Sequence, residues 1–93
     1  MKAIINGTIV AESDSVLIVE GNHYFPPGSI KKEVLTASET RTNCPWKGSA
    51  RFFHFNNGGN IVKDAAWTYE NPEEPARHLM GYLAFWPQYI VVD

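Results

Sequence analysis

Apolar and polar residues alternate in short bursts along most of the chain, with a period of two rather than 3.6. Residues 2–6 and 8–12 are two such bursts meeting at Asn6-Gly7. That dipeptide suits a two-residue hairpin because both central positions need φ > 0. Ser13-Asp14-Ser15 turns the chain again, and 15–20 reads as a third strand, apolar enough to be central. Residues 1–20 therefore predict a three-stranded meander. Gly21-Asn22 interrupts it. His23-Tyr24-Phe25 is extended, since Pro26 and Pro27 disfavour helix before them. The period then changes: Ile30, Val34 and Leu35 fall at helical spacing behind Ser29 as N-cap. This predicts a short helix over about 29–36, followed by the polar run Thr36 to Asn43.

Strand spacing returns after a turn, Cys44-Pro45-Trp46-Lys47-Gly48. Over 49–55, Ala50, Phe52 and His54 share one face and Arg51, Phe53 and Phe55 the other. Asn56 to Asn60 is a hairpin loop. The return strand ends in Ala65-Ala66-Trp67-Thr68-Tyr69, with Trp67 and Tyr69 on one face. Residues 70–75 form a turn, 75–80 one helical turn, and 81–86 and 89–92 the last strands. Seven or eight short strands with one or two short helices imply a mainly β domain. It would be a compact antiparallel sheet sandwich or a partly open barrel.

The bulk numbers narrow the classes. With 93 residues the chain is expected to be a single domain over 1–93, and 44% hydrophobic content with 13% aromatics is enough for a packed core. A net charge of −2 and a pI of about 5.9 leave no basic face for a nucleic-acid backbone, so no nucleic-acid partner is expected. One cysteine excludes an internal disulfide and a multi-cysteine zinc site. His23, His54 and His78 match no ligand spacing of a metal finger, so no metal is expected. No apolar run approaches a membrane span, and the N-terminal run is short for a signal peptide. A cytoplasmic protein with a reduced thiol follows as an expectation.

The chemistry gathers on the turn at 44–48. Pro45 fixes its own φ and biases Cys44 toward extended backbone, and Gly48 permits a tight exit. Cys44 is the candidate nucleophile, with Lys47 to favour its thiolate and His23 as candidate acid or base, or His54 in its place, if the fold brings either close. Weighed alone, a free cysteine is more often simply buried. Tyr24, Trp46, Trp67 and Tyr69 could line an aromatic pocket for a planar or cationic ligand, whereas Phe85 and Trp86 read as core. Asn22 and His23 offer polar contacts beside it. Lys47, expected as an exposed ammonium on a stiff turn, could hold an anion. The residues point to a small planar or anionic ligand. They name no cofactor and no oligomeric state. An enzyme using the same pocket and a protein-interaction module are the alternatives.

The set Gly21-Asn22-His23-Tyr24-Phe25-Pro26, Cys44-Pro45-Trp46-Lys47-Gly48, Ala65-Ala66-Trp67-Thr68-Tyr69 with Pro72, and Tyr82-Leu83-Ala84-Phe85-Trp86 resembles a small bacterial and fungal single-domain family of unknown function. That family is sometimes labelled nucleotidyltransferase-like. The resemblance covers nearly the whole chain and implies a compact, mainly β fold, with no activity or catalytic residue to carry over. Nucleotidyl transfer needs paired carboxylates for Mg²⁺, whereas Asp14, Asp64 and Asp93 stand singly.

Overall fold

A computed structural model describes residues 1–92, so Asp93, one of those three single acids, lies outside the described residues. The strands are β1 (Lys2–Ile5), β2 (Thr8–Glu12), β3 (Leu17–Val19), β4 (Asn22–Phe25), β5 (Leu35–Cys44), β6 (Gly48–Asn57), β7 (Asn60–Thr68), β8 (Leu83–Phe85) and β9 (Ile90–Val91). They form two antiparallel sheets, a three-stranded one in the order β2-β1-β9 and a six-stranded one in the order β3-β4-β8-β7-β6-β5. The helical segments among the described residues are short 3₁₀ turns, the longest being Glu74–Leu79. The protein is thus mainly β and compact, with its strands in two antiparallel sheets. No helix is long and apolar enough to cross a membrane.

The Asn6-Gly7 hairpin forms as its dipeptide requires, with φ of 49° and 81°. The meander does not. β3 leaves for the larger sheet and pairs with β4, and β9 takes the place beside β1. The cause is a second two-residue turn, Glu20-Gly21, with φ of 55° and 79°, which folds Leu17–Val19 back on Asn22–Tyr24. Glutamate in the first position of such a turn hides the signal that asparagine gives at Asn6.

The helix expected over 29–36 is also absent. Pro27–Ser29 and Lys32–Val34 are 3₁₀ turns, and the polar run is the ten-residue strand β5. β5 lies at the edge of its sheet and is exposed over most of its length, so no hydrophobic alternation marks it. Thr36, Thr40 and Thr42 favour strand by β-branching, and its charged Glu39 and Arg41 suit an unpaired edge.

Two apolar clusters lie on the two faces of the six-stranded sheet. Ala3, Ile5, Val10, Phe25, Phe55, Ala66 and Phe85 fill the space against the small sheet. Tyr24, Ala50, Phe52, Trp67, Tyr69 and Ala84 form the second, closed over by Ala76 and Leu79 of the 3₁₀ segment. Neighbours in a strand alternate between them, as Tyr24 and Phe25 do, because the side-chain period is two. Each fully buried phenylalanine contributes roughly 1.5–3 kcal/mol. The alternation expected for 49–55 holds for Phe52 and Phe55.

Candidate functional site

The turn between β5 and β6 is closed by Cys44 opposite Gly48, leaving Pro45, Trp46 and Lys47 as its loop. Gly48 takes φ of 100°, a conformation that a side chain would strain. The backbone N–H of Glu73 donates to the Lys47 carbonyl at 3.0 Å, so the 70–73 loop holds the turn from outside. The turn is stiff, as its proline and glycine suggest.

Lys47 does not project into water. It is 5% exposed, and its ammonium donates to the Glu20 carboxylate while lying 5.0 Å from the Trp46 ring centroid and 5.5 Å from that of Tyr69. This corrects the expectation of an exposed turn lysine. Burial, the largest single influence, works against the charge. The hydrogen bond to Glu20 and the nearby Tyr24 and Tyr69 oxygens outweigh it, and the lysine's pKa lies above its ordinary value. Lys47 is held as an ammonium by this pairing. The same hydrogen bond from Lys47 holds the Glu20 carboxyl below its usual range, with a weaker contribution from the Trp46 indole. Burial pushes the Tyr69 phenol up, so it stays neutral near pH 7.

Behind the lysine the aromatic residues form a continuous cluster. Tyr24 and Tyr69 lie 6.5 Å apart and tilted, and Tyr24 meets Trp67 edge-on at 6.5 Å. The Trp67 indole N–H donates to the Tyr24 hydroxyl at 3.4 Å. Trp46 is 36% exposed at the open end. Trp86, expected in the core, is exposed at the other end, where it packs on Trp67 at 4.7 Å and donates to the Asp64 carbonyl at 2.7 Å.

The structure brings together Tyr24, Trp46, Lys47, Trp67 and Tyr69, with Cys44 half-buried against the same cluster. Asn22 follows the alternation of Tyr24 and sits on that face. His23 is registered against Phe85, on the opposite face of the sheet, and is not brought to Cys44 or Lys47. An open depression of about 530 Å³ beside the turn is lined by Asn43, Cys44, Pro45, Gly48, Ser49 and Asn71 among others. A more apolar groove of about 400 Å³ lies elsewhere, along Ile30, Leu35, Phe53 and Leu83. Neither is lined by Lys47, whose ammonium is closed over by Glu20.

Glu20 is the residue that sequence reasoning missed. Its signal was a glutamate where a two-residue turn favours asparagine or glycine, and a strained backbone at a polar contact marks a functional candidate. A second polar knot surrounds Asp64, also left-handed at φ 50°. Its carboxylate accepts from Ser38 Oγ at 2.6 Å and Thr40 Oγ1 at 2.8 Å, and its N–H donates to His54 Nδ1 at 3.0 Å. These bonds span the irregular stretches of β5, β6 and β7, and Ser38, the larger of the two hydroxyl influences, holds the Asp64 carboxyl below its usual range. The knot stitches the bulges together. Asp14 lies exposed in a bend, so Asp14 and Asp64 make no carboxylate pair. Among the described residues no three His, Cys, Asp or Glu side chains gather as a metal site.

A search among curated proteins finds no match. The family described as a domain of unknown function (DUF427), labelled NTP_transf_9, matches residues 1–93. That match spans every element of the fold and each of the site residues above, and the chain belongs to the DUF427 family.

Proposed function

We propose that this domain binds a small ligand at the open end of the aromatic cluster. The Lys47 ammonium holds its anionic group, and Trp46, backed by Tyr69 and Tyr24, takes a flat body. The observation that carries this reading is the burial of Lys47 at 5% exposure, beside a carboxylate that is itself half-exposed. Burying an ammonium has a desolvation penalty of several kcal/mol, which its partner only partly offsets. A charge kept at that cost, under a tryptophan open to solvent, is economically explained by a ligand.

Thiol catalysis at Cys44 has less support, because His23 stands on the other face of the sheet and Cys44 packs among aromatic rings. The lone cysteine supports a reducing, cytoplasmic setting.

A thermal-shift screen of flat and anionic small molecules on the wild type and on Lys47→Met tests the reading. A ligand that binds only the native state raises Tm by mass action. At least one molecule should raise the wild-type Tm and leave a folded Lys47→Met unmoved. If no molecule moves the wild type, the aromatic cluster is packing alone.

A further inference from the structure

The geometry points to a flat monocarboxylate as the ligand class of this site, with Glu20 as its built-in competitor. The inference rests on the ligand-binding reading above and sharpens it.

Glu20 is itself a carboxylate on the Lys47 ammonium, with the Trp46 indole at its side. The position thus already accepts the charge, shape and acceptor geometry of a carboxylate. The two partners differ in what they lose on parting. Glu20's side chain is 50% exposed and regains water at once, whereas Lys47's is 6% exposed and would be left as a buried cation with no counter-charge. The pair therefore opens at low cost only when another anion takes Glu20's place. The backbone favours that exchange. Glu20 sits at φ 55°, a left-handed conformation that asparagine or glycine adopts at less cost than glutamate, and the turn lies in an outer hairpin of the sheet.

Charge selects the class. Lys47 is the cation paired with Glu20 and over the Trp46 and Tyr69 rings, while Arg51 and Arg77 are paired with Glu70 and Glu74. One ammonium balances one negative charge. A phosphate dianion would leave charge uncompensated and would face the displaced Glu20 at short range. The exposed face of Trp46 beside the ammonium adds a preference for a flat body, since stacking needs parallel surfaces.

The probes are benzoate, its neutral amide benzamide, the non-planar cyclohexanecarboxylate, and inorganic phosphate. Each is titrated calorimetrically into the full chain, as wild type, Glu20→Gln, Glu20→Asn and Lys47→Met. Asparagine suits the left-handed turn, so Glu20→Asn keeps the fold testable if Glu20→Gln does not fold. Benzoate should bind the wild type weakly and either Glu20 variant about tenfold more tightly, because removing a competitor frees the binding-competent state. Benzamide should bind none of them, phosphate should bind more weakly than benzoate, and cyclohexanecarboxylate should fall between. If benzoate binds in a Lys47-dependent way but equally well with and without Glu20, the competitor role is overturned while the site stands. Phosphate binding above benzoate overturns the ligand class. Binding of no probe to any folded variant overturns both this inference and the site.

Discussion

Glu20 and Lys47, 27 residues apart in the chain, join the turns of the two outermost hairpins of the six-stranded sheet. β3 and β5 are its opposite edges, so the contact holds the sheet curled around its second face, with Tyr24, Trp67 and Tyr69 inside the curl. Structure and chemistry coincide here, because the same ion pair closes the sheet and occupies the candidate site.

Removing the ammonium should therefore weaken the fold, unlike removal of an ordinary surface lysine. An exposed lysine would cost about 0.5 kcal/mol or less. Lys47→Met, which keeps the length and loses the charge and its ring contacts, should cost ~1–2 kcal/mol, below the range for a fully buried pair because Glu20 is half-exposed. Urea denaturation measures this. A loss within error of zero would show that the lysine stands free in solution.

The pair also sets a pH dependence. Glu20's folded pKa is depressed below its ordinary value of 4.5, so its stabilising contribution is present above that value and lost as pH falls through the folded one. Lys47's is raised above 10.5, so its contribution is present below that value and lost as pH rises through the folded one. The Tm difference between the wild type and Glu20→Gln should be steady near neutral pH and shrink below pH 4.5. Asp64, also depressed, titrates in both proteins and cancels in the difference. A gap unchanged down to the acid limit of folding would mean that the carboxylate does not stabilise the native state.

Much of the strand content follows from period-two patterning alone, as at 49–55 and at the Asn6-Gly7 hairpin. The rest depends on partners that a segment's own pattern does not reveal. β5 is a strand because β6 pairs with it, and its exposed polar residues carry no trace of that. The aromatic residues of the site could be picked out because tryptophan and tyrosine beside polar turns are unusual. The burial of Lys47 could not be, because it depends on a carboxylate in a different hairpin. His23 stands a single strand position from the cluster's face, since its neighbours Asn22 and Tyr24 point to the other side of the sheet.

Gly48 offers a test of the turn itself. At φ 100° a side chain meets backbone strain, although Asn71 O and Glu73 N at 3.5 Å leave ordinary contact room for a Cβ. Gly48→Ala should cost about 1–2 kcal/mol from backbone conformation alone. Any ligand response at Lys47 should weaken with it. An unchanged Tm would mean that the turn relaxes without strain.

Cys44 should behave as a packed residue. Half-buried against the second cluster, it should react with iodoacetamide more slowly than a small-molecule thiol in the folded protein, and faster as urea unfolds the chain. Alkylation ahead of the model thiol would restore the case for a thiol nucleophile.

The small sheet has a consequence for the order of folding. Ile90 and Val91 complete it beside Ala3 and Lys2, so its last partner comes from almost a full chain length away. Until β9 arrives, the β1 edge of the β1–β2 hairpin is unpaired, and Ala3 and Ile5 have only part of their cover. The β6–β7 hairpin, turned at Gly58-Gly59, needs no such partner and can zip from its own loop. In pulse-labelled refolding, amide protection should reach β6 and β7 before β1. The N-terminal hairpin would then be the first to be made and among the last to be secured.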